Sequence, residues 1–159
     1  SLMFLKPVAL PEYETFAKKH FEKAGKEIAD GVVSAIYERF DGMTWYLQKV
    51  LNQLFATKDI VVLGDEEKAV RQIVNQNEDA YKDLLFQLTA RQRDLLVAVS
   101  REGKARQITG TAFVKRYNLS SASSVQKSAQ ALMEKQLLTH NQGVYEVYDK
   151  FMALWLRES

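Results

Sequence analysis

Residues 119–148, LSSASSVQKSAQALMEKQLLTHNQGVYEVY, leave a chain of this kind few folds to choose from. Ser121 is a helix-capping residue, and the spacing predicts a helix from Ser121 to Lys135. With Val125 facing inward, Ala122, Ala129 and Leu132 share its face and Met133 lies at the edge. The period then changes from about 3.6 to 2, which predicts strands at Leu137–His140 and Val144–Tyr148 around the hairpin turn Asn141-Gln142-Gly143.

Upstream, Gly110–Tyr117 reads as a short helix with Phe113 and Val114 inward, and Asn118 suits a left-handed turn. Thr89-Ala90-Arg91-Gln92 is a capping-box pattern opening a helix that ends near Arg101, before Gly103. Two helices joined by the tight YNLSS turn and followed by a hairpin make a winged helix. The apolar stretch Asp149–Arg157 predicts a closing helix on which Trp155 locks against the rest.

The first half is helical as well. Helices are expected over Glu12–Ala24, with Pro11 in the first turn and Gly25 at the stop, and over Ala29–Phe40, ended by Gly42. A third is expected over Thr44–Ala56 with Thr44 as its cap. Trp45 and Tyr46 are spaced for core or interdomain packing, and the apolar IVVL within Lys58–Leu63 for a packed linker. One long helix should run from Gly64 to Leu88, its first-turn Asp65, Glu66 and Glu67 favouring the helix dipole. Adjacent helical residues point about 100° apart, so Glu66 and Glu67 do not converge as a catalytic pair. The expectation is a mainly α chain: a helical lid-type domain over 1–63, a connecting helix over 64–88 and a winged helix over 89–159.

Composition narrows the chemistry. There is no cysteine, and the two histidines, His20 and His140, lie far apart outside any ligand-spaced motif. No GxSxG, HExxH or GxxxxGK[ST] stretch occurs, so no catalytic residue, metal site or resident cofactor is expected in this chain. No apolar run approaches a membrane span, and the opening SLMFLKPVALPEYE lacks a signal-peptide pattern; a cytoplasmic location is the expectation. Charge is uneven: residues 1–88 carry 11 Lys and Arg against 14 Asp and Glu, whereas residues 89–159 carry 11 against 6.

That basic second half raises the question of DNA. Ser123, Lys127, Gln130 and Glu134 form the outward stripe of the predicted 121–135 helix. Serine and lysine suit phosphates; lysine and glutamine also suit base edges. Lys115 and Arg116 end the preceding helix, and Lys104 and Arg106 add charge in the loop before it. Against this, the wing tip Thr139–Val144 has no cation, and Glu134 and Glu146 repel phosphate. A solvated face on a protein-interaction module accounts for the stripe equally well.

Taken together, FLKP (Phe4–Pro7), YETFAKKHFEKAGKEI (Tyr13–Ile28), YERFDGMTWYLQKVLNQL (Tyr37–Leu54), LTARQRDLLVAVSREG (Leu88–Gly103), the Leu119–Leu138 helix and YEVYDKFMALWLR (Tyr145–Arg157) resemble the C-terminal part of AAA+/STAND-type ATPases of archaea and Bacteroides-like bacteria. The resemblance implies lid helices plus a winged helix, with the P-loop core, ATP and magnesium supplied by an upstream part of a full-length parent. It also implies that Gly42-Met43-Thr44, running into Trp45, matches the Gly-x-Pro turn near the nucleotide base, with threonine in place of proline. The expected role is non-catalytic: coupling nucleotide state in that core to a DNA or protein partner. The alternatives are a stand-alone winged-helix DNA-binding regulator and a protein-interaction module without a nucleic-acid role.

Overall fold

The computed structural model describes residues 9–158. The described chain is mainly helical, and it divides between Asn75 and Gln76 into two compact units, each with its own core. Phe4–Pro7, the first segment of the resemblance, lies outside the described residues.

The first unit starts with α1 (Leu10–Lys23), which has Pro11 in its first turn and buries Tyr13, Ala17 and Phe21. Gly25 follows at φ +73°, a left-handed conformation that most side chains resist. Then come β1 (Glu27–Ile28), α2 (Val32–Arg39), α3 (Thr44–Thr57), β2 (Ile60–Val61) and α4 (Asp65–Gln76). The core is drawn from one face of each helix, including Val32 and Ile36 of α2, Leu47, Val50 and Leu54 of α3, and Val70 of α4. Arg39 binds Glu67 at 2.8 Å, tying α2 to α4, and Gln53 binds Gln72 at 3.0 Å, tying α3 to α4.

Several expectations change here. IVVL is not a packed linker: Ile60 and Val61 pair in parallel with Glu27 and Ile28. Only Val61 of the four is buried, while Ile60, Val62 and Leu63 are exposed. The two-residue strands are joined through α2 and α3, the long crossover that parallel pairing requires. The second helix begins at Val32 rather than Ala29, because Ala29 donates its N–H to Val61 O at 2.9 Å and extends the β1 pairing. Thr44 is the first helical residue of α3, and Met43 occupies the cap position. Trp45 is not core: it is 48% exposed, whereas Tyr46 is buried and stacks on Phe40 at 5.1 Å.

The expected connecting helix over 64–88 is interrupted. It forms α4 and then α5 (Glu78–Phe86), with Asn77 between them at φ −103°, ψ 4°. An asparagine side chain competes for backbone partners and weakens a helix from within. Asp65 and Glu66 do serve the start of α4, through local bonds: Asp65 accepts Val62 N at 2.8 Å, and Glu66 accepts Gly64 N at 3.0 Å.

After α5, the second unit contains α6 (Ala90–Glu102), β3 (Ala105–Arg106), α7 (Thr111–Arg116), α8 (Ala122–Glu134), β4 (Leu138–Asn141), β5 (Val144–Val147) and α9 (Lys150–Arg157). The capping box forms: Thr89 Oγ1 accepts Gln92 N at 3.2 Å, and Gln92 Oε1 accepts Thr89 N at 3.1 Å. The hairpin pairs Asn141 with Val144, so its loop is Gln142-Gly143, with φ of +51° and +80°. Two positive φ values give the tight turn whose twist matches that of the strands. The sequence did not predict β3; it pairs antiparallel with β5 and makes a three-stranded sheet in the order β3-β5-β4. Leu95, Leu96 and Val99 of α6, Val125 and Leu132 of α8, Leu138 of β4 and Phe151 and Leu156 of α9 form the core beneath it. Trp155 of α9 lies 5.5 Å from Tyr81, and its indole N–H donates to Glu78 at 3.2 Å, fastening α5 to α9.

Candidate nucleic-acid interface

The helix–turn–helix is set by local chemistry. Tyr117 caps the end of α7, Asn118 takes φ +53°, and Leu119 N returns to Val114 O at 2.9 Å. This is the left-handed helix stop that asparagine accepts more readily than most residues. Ser121 then caps α8, its Oγ accepting Ser124 N at 3.1 Å. The inward face of α8 is Val125, Ser128, Ala129 and Leu132. Ala122, expected inward, is exposed in the first turn of α8.

Ser123, Lys127 and Gln130 are all exposed along the outer face of α8, with Glu134 toward its C-terminal end. The other cations lie on other elements. Lys115 is exposed at the end of α7, while Lys104 and Arg106 are exposed before and on β3, an edge strand of the sheet. Arg116 turns toward its own unit: its guanidinium binds Glu102 at 3.0 and 3.1 Å. Tyr117 also donates its hydroxyl to Glu102, and that bond followed by the Arg116 pair holds the carboxyl below the usual glutamate range. Arg116 is therefore already charge-matched, which weakens its pull on phosphate. The wing carries no cation at its tip; His140 stacks on Tyr145 there at 3.9 Å.

Arg91 was not among the residues singled out by sequence. It sits in the first turn of α6, and its Nη1 donates to Ser124 Oγ at 3.2 Å. Only the packing of α6 on α8 brings it beside Lys127, so no local pattern announces it.

In the first unit, Gly42 has φ +73°, and a Cβ there would lie 3.0 Å from the Tyr37 ring. Met43 and Trp45 are exposed on the same turn, and Lys49 Nζ lies 5.4 Å from the Trp45 ring centroid. The turn thus offers an apolar, aromatic surface with one cation and no phosphate-cradling loop. Among the described residues, no three His, Asp or Glu side chains gather as a metal site would need, and no helix is long and apolar enough to cross a membrane.

No curated protein and no solved structure matches the chain. Residues 79–158 match the family model described as "Probable winged helix domain". The matched segment holds α6 to α9 whole and all but the first residue of α5, about half of the chain, and by that match the chain belongs to this winged-helix family.

Proposed function

We propose that the chain is a non-catalytic, cytoplasmic module whose winged helix binds double-stranded DNA through α8, chiefly at backbone phosphates. The supporting observation is that Ser123, Lys127 and Gln130 share one exposed face, and Lys127 has no carboxylate partner among the described residues. Lysine and serine on such a face engage phosphate, and a glutamine beside them reaches a base edge. A face with one lysine, no arginine and a wing tip without lysine or arginine favours weak, salt-sensitive binding with little sequence preference. Binding to a duplex should fall steeply between about 50 and 200 mM salt. Lys127→Ala should weaken binding evenly across sequences and reduce the salt slope by about 1. A wild-type chain that ignores duplex even at the lower salt sinks this reading.

The finer proposal is that this module belongs to an AAA+/STAND-type ATPase, with residues 1–75 as the lid. ATP and magnesium would bind in the P-loop core, since GxxxxGK[ST] is absent here. Its support is the sequence resemblance together with a helical first unit bearing the exposed Gly42–Trp45 turn. Replacing Gly42 and Thr44 in the full-length ATPase should alter ATP turnover and ligand response; unchanged values rule out a sensing role.

One observation favours a protein partner instead. Phe86 and Tyr148 of the second unit are 88% and 63% exposed. Large exposed apolar side chains suit protein contacts better than phosphate contacts.

A further inference from the structure

A groove of about 710 Å³ opens between the first turns of α6 and α8. Three independent features converge on it. First, Arg91 and Lys127 both line it, and neither has a carboxylate partner among the described residues. The bond from Arg91 to Ser124 Oγ, at 3.2 Å, holds the guanidinium over the start of α8 and leaves its other donors open. Second, two helices of 13 residues each begin here. Thr89 and Ser121 satisfy the third-position amides at 3.2 and 3.1 Å, while the first two amides of each helix have no intrahelical acceptor. Third, Ser128 lines the groove at only 7% exposure, and its hydroxyl makes no hydrogen bond to any described residue. Among the described residues no fully buried side-chain polar atom lacks a partner, so this hydroxyl opens into the groove and is available as a donor there.

Two cations, helix-end amides and a hydroxyl that opens into the groove are the chemistry of a tetrahedral oxyanion site. We propose that the groove binds one phosphate group, and that its occupant is a backbone phosphodiester of the duplex that α8 contacts. The occupant rests on the DNA reading above; the anion chemistry of the groove does not. Arg91 is the principal ligand, Lys127 the second cation, and Ser128 a neutral donor. The duplex then runs against the start of α6 as well as along α8, which lets a face with one lysine hold DNA without help from the wing.

The full chain carries the test. Duplex affinity is measured from about 50 to 200 mM salt for wild type, Arg91→Gln and Ser128→Ala. In parallel, amide shifts of Ser123, Ser124 and Ser128 are followed against inorganic phosphate. The expected result is a salt slope lower by about 1 for Arg91→Gln, a several-fold weakening with unchanged slope for Ser128→Ala, and phosphate-dependent shifts that Arg91→Gln abolishes. Arg91 is exposed, so an unchanged thermal midpoint confirms that its variant folds. Duplex binding with the same slope and affinity in Arg91→Gln overturns the proposal and spares the DNA reading. Phosphate shifts without any duplex binding keep the anion site and reject the duplex as its occupant. Neither shifts nor duplex binding defeats both.

Discussion

Glu102, Arg116 and Tyr117 illustrate how a single residue's role depends on its neighbours. Arg116 and Lys115 are equivalent in sequence, two cations at the end of one helix, yet among the described residues only Arg116 of the two meets a carboxylate. That partner comes from the end of α6, 14 positions earlier, and Tyr117 completes the cluster from the next position. The folded Glu102 carboxyl is held below its ordinary value, chiefly by the tyrosine hydrogen bond and then by the arginine. A depressed folded pKa contributes stability above the unfolded value, and that contribution is lost as pH falls through the folded one. Glu102→Gln should therefore lower the thermal midpoint at neutral pH. The gap from wild type should close as pH drops below the glutamate range near about 4.3. A gap that stays constant with pH would assign the loss to packing instead. Because the pair is partly exposed, raised salt should narrow the gap as well.

At the scale of elements, long helices with clear apolar stripes were legible in the sequence, and two-residue strands were not. α1, α3, α6 and α8 end within one or two residues of their expected bounds, because caps and left-handed stops are local chemistry. β1, β2 and β3 are too short to show a period of 2, and each is defined by a partner far away in the chain. The wing hairpin lies between these cases. Its turn was visible from Gly143, and the structure adds that Gln142 also has a positive φ, +51°. Asparagine suits that position better than glutamine, so Gln142→Asn should stabilise the chain by about 0.5 kcal/mol. Thermal or urea unfolding measures it. A loss of stability would mean that the glutamine side chain contributes something its turn geometry does not reveal.

For the whole molecule, the division at Asn75 and Gln76 is the main fact that periodicity concealed. One apolar stripe runs through Val70, Val74 and Tyr81, and spacing alone reads it as one continuous helix. Its parts serve different cores: α4 completes the first unit, and α5 is fastened to α9 in the second. The second unit's core is drawn from its own helices and sheet, with Leu88 and Ile108 added from the connections between them. A chain of residues 76–159 should therefore fold alone, with helical circular dichroism and one cooperative thermal transition. A broad, uncooperative melt would mean that this core depends on the first unit.

Sequence alone determined the helical class, the winged-helix order in the second half, the Thr89 and Ser121 caps, the Asn118 and Gly143 turns, and the outward stripe of α8. These follow from short-range rules: a capping side chain, a left-handed stop and a periodic apolar face act within a few residues. Tertiary structure alone decided the strand partners, the exposure of Trp45, the capture of Arg116 by Glu102, and the meeting of Arg91, Lys127 and Ser128 in one groove. Each of these depends on which surfaces come together when separate elements bury their apolar faces. Local periodicity names the face of an element, but only packing names what the face will meet.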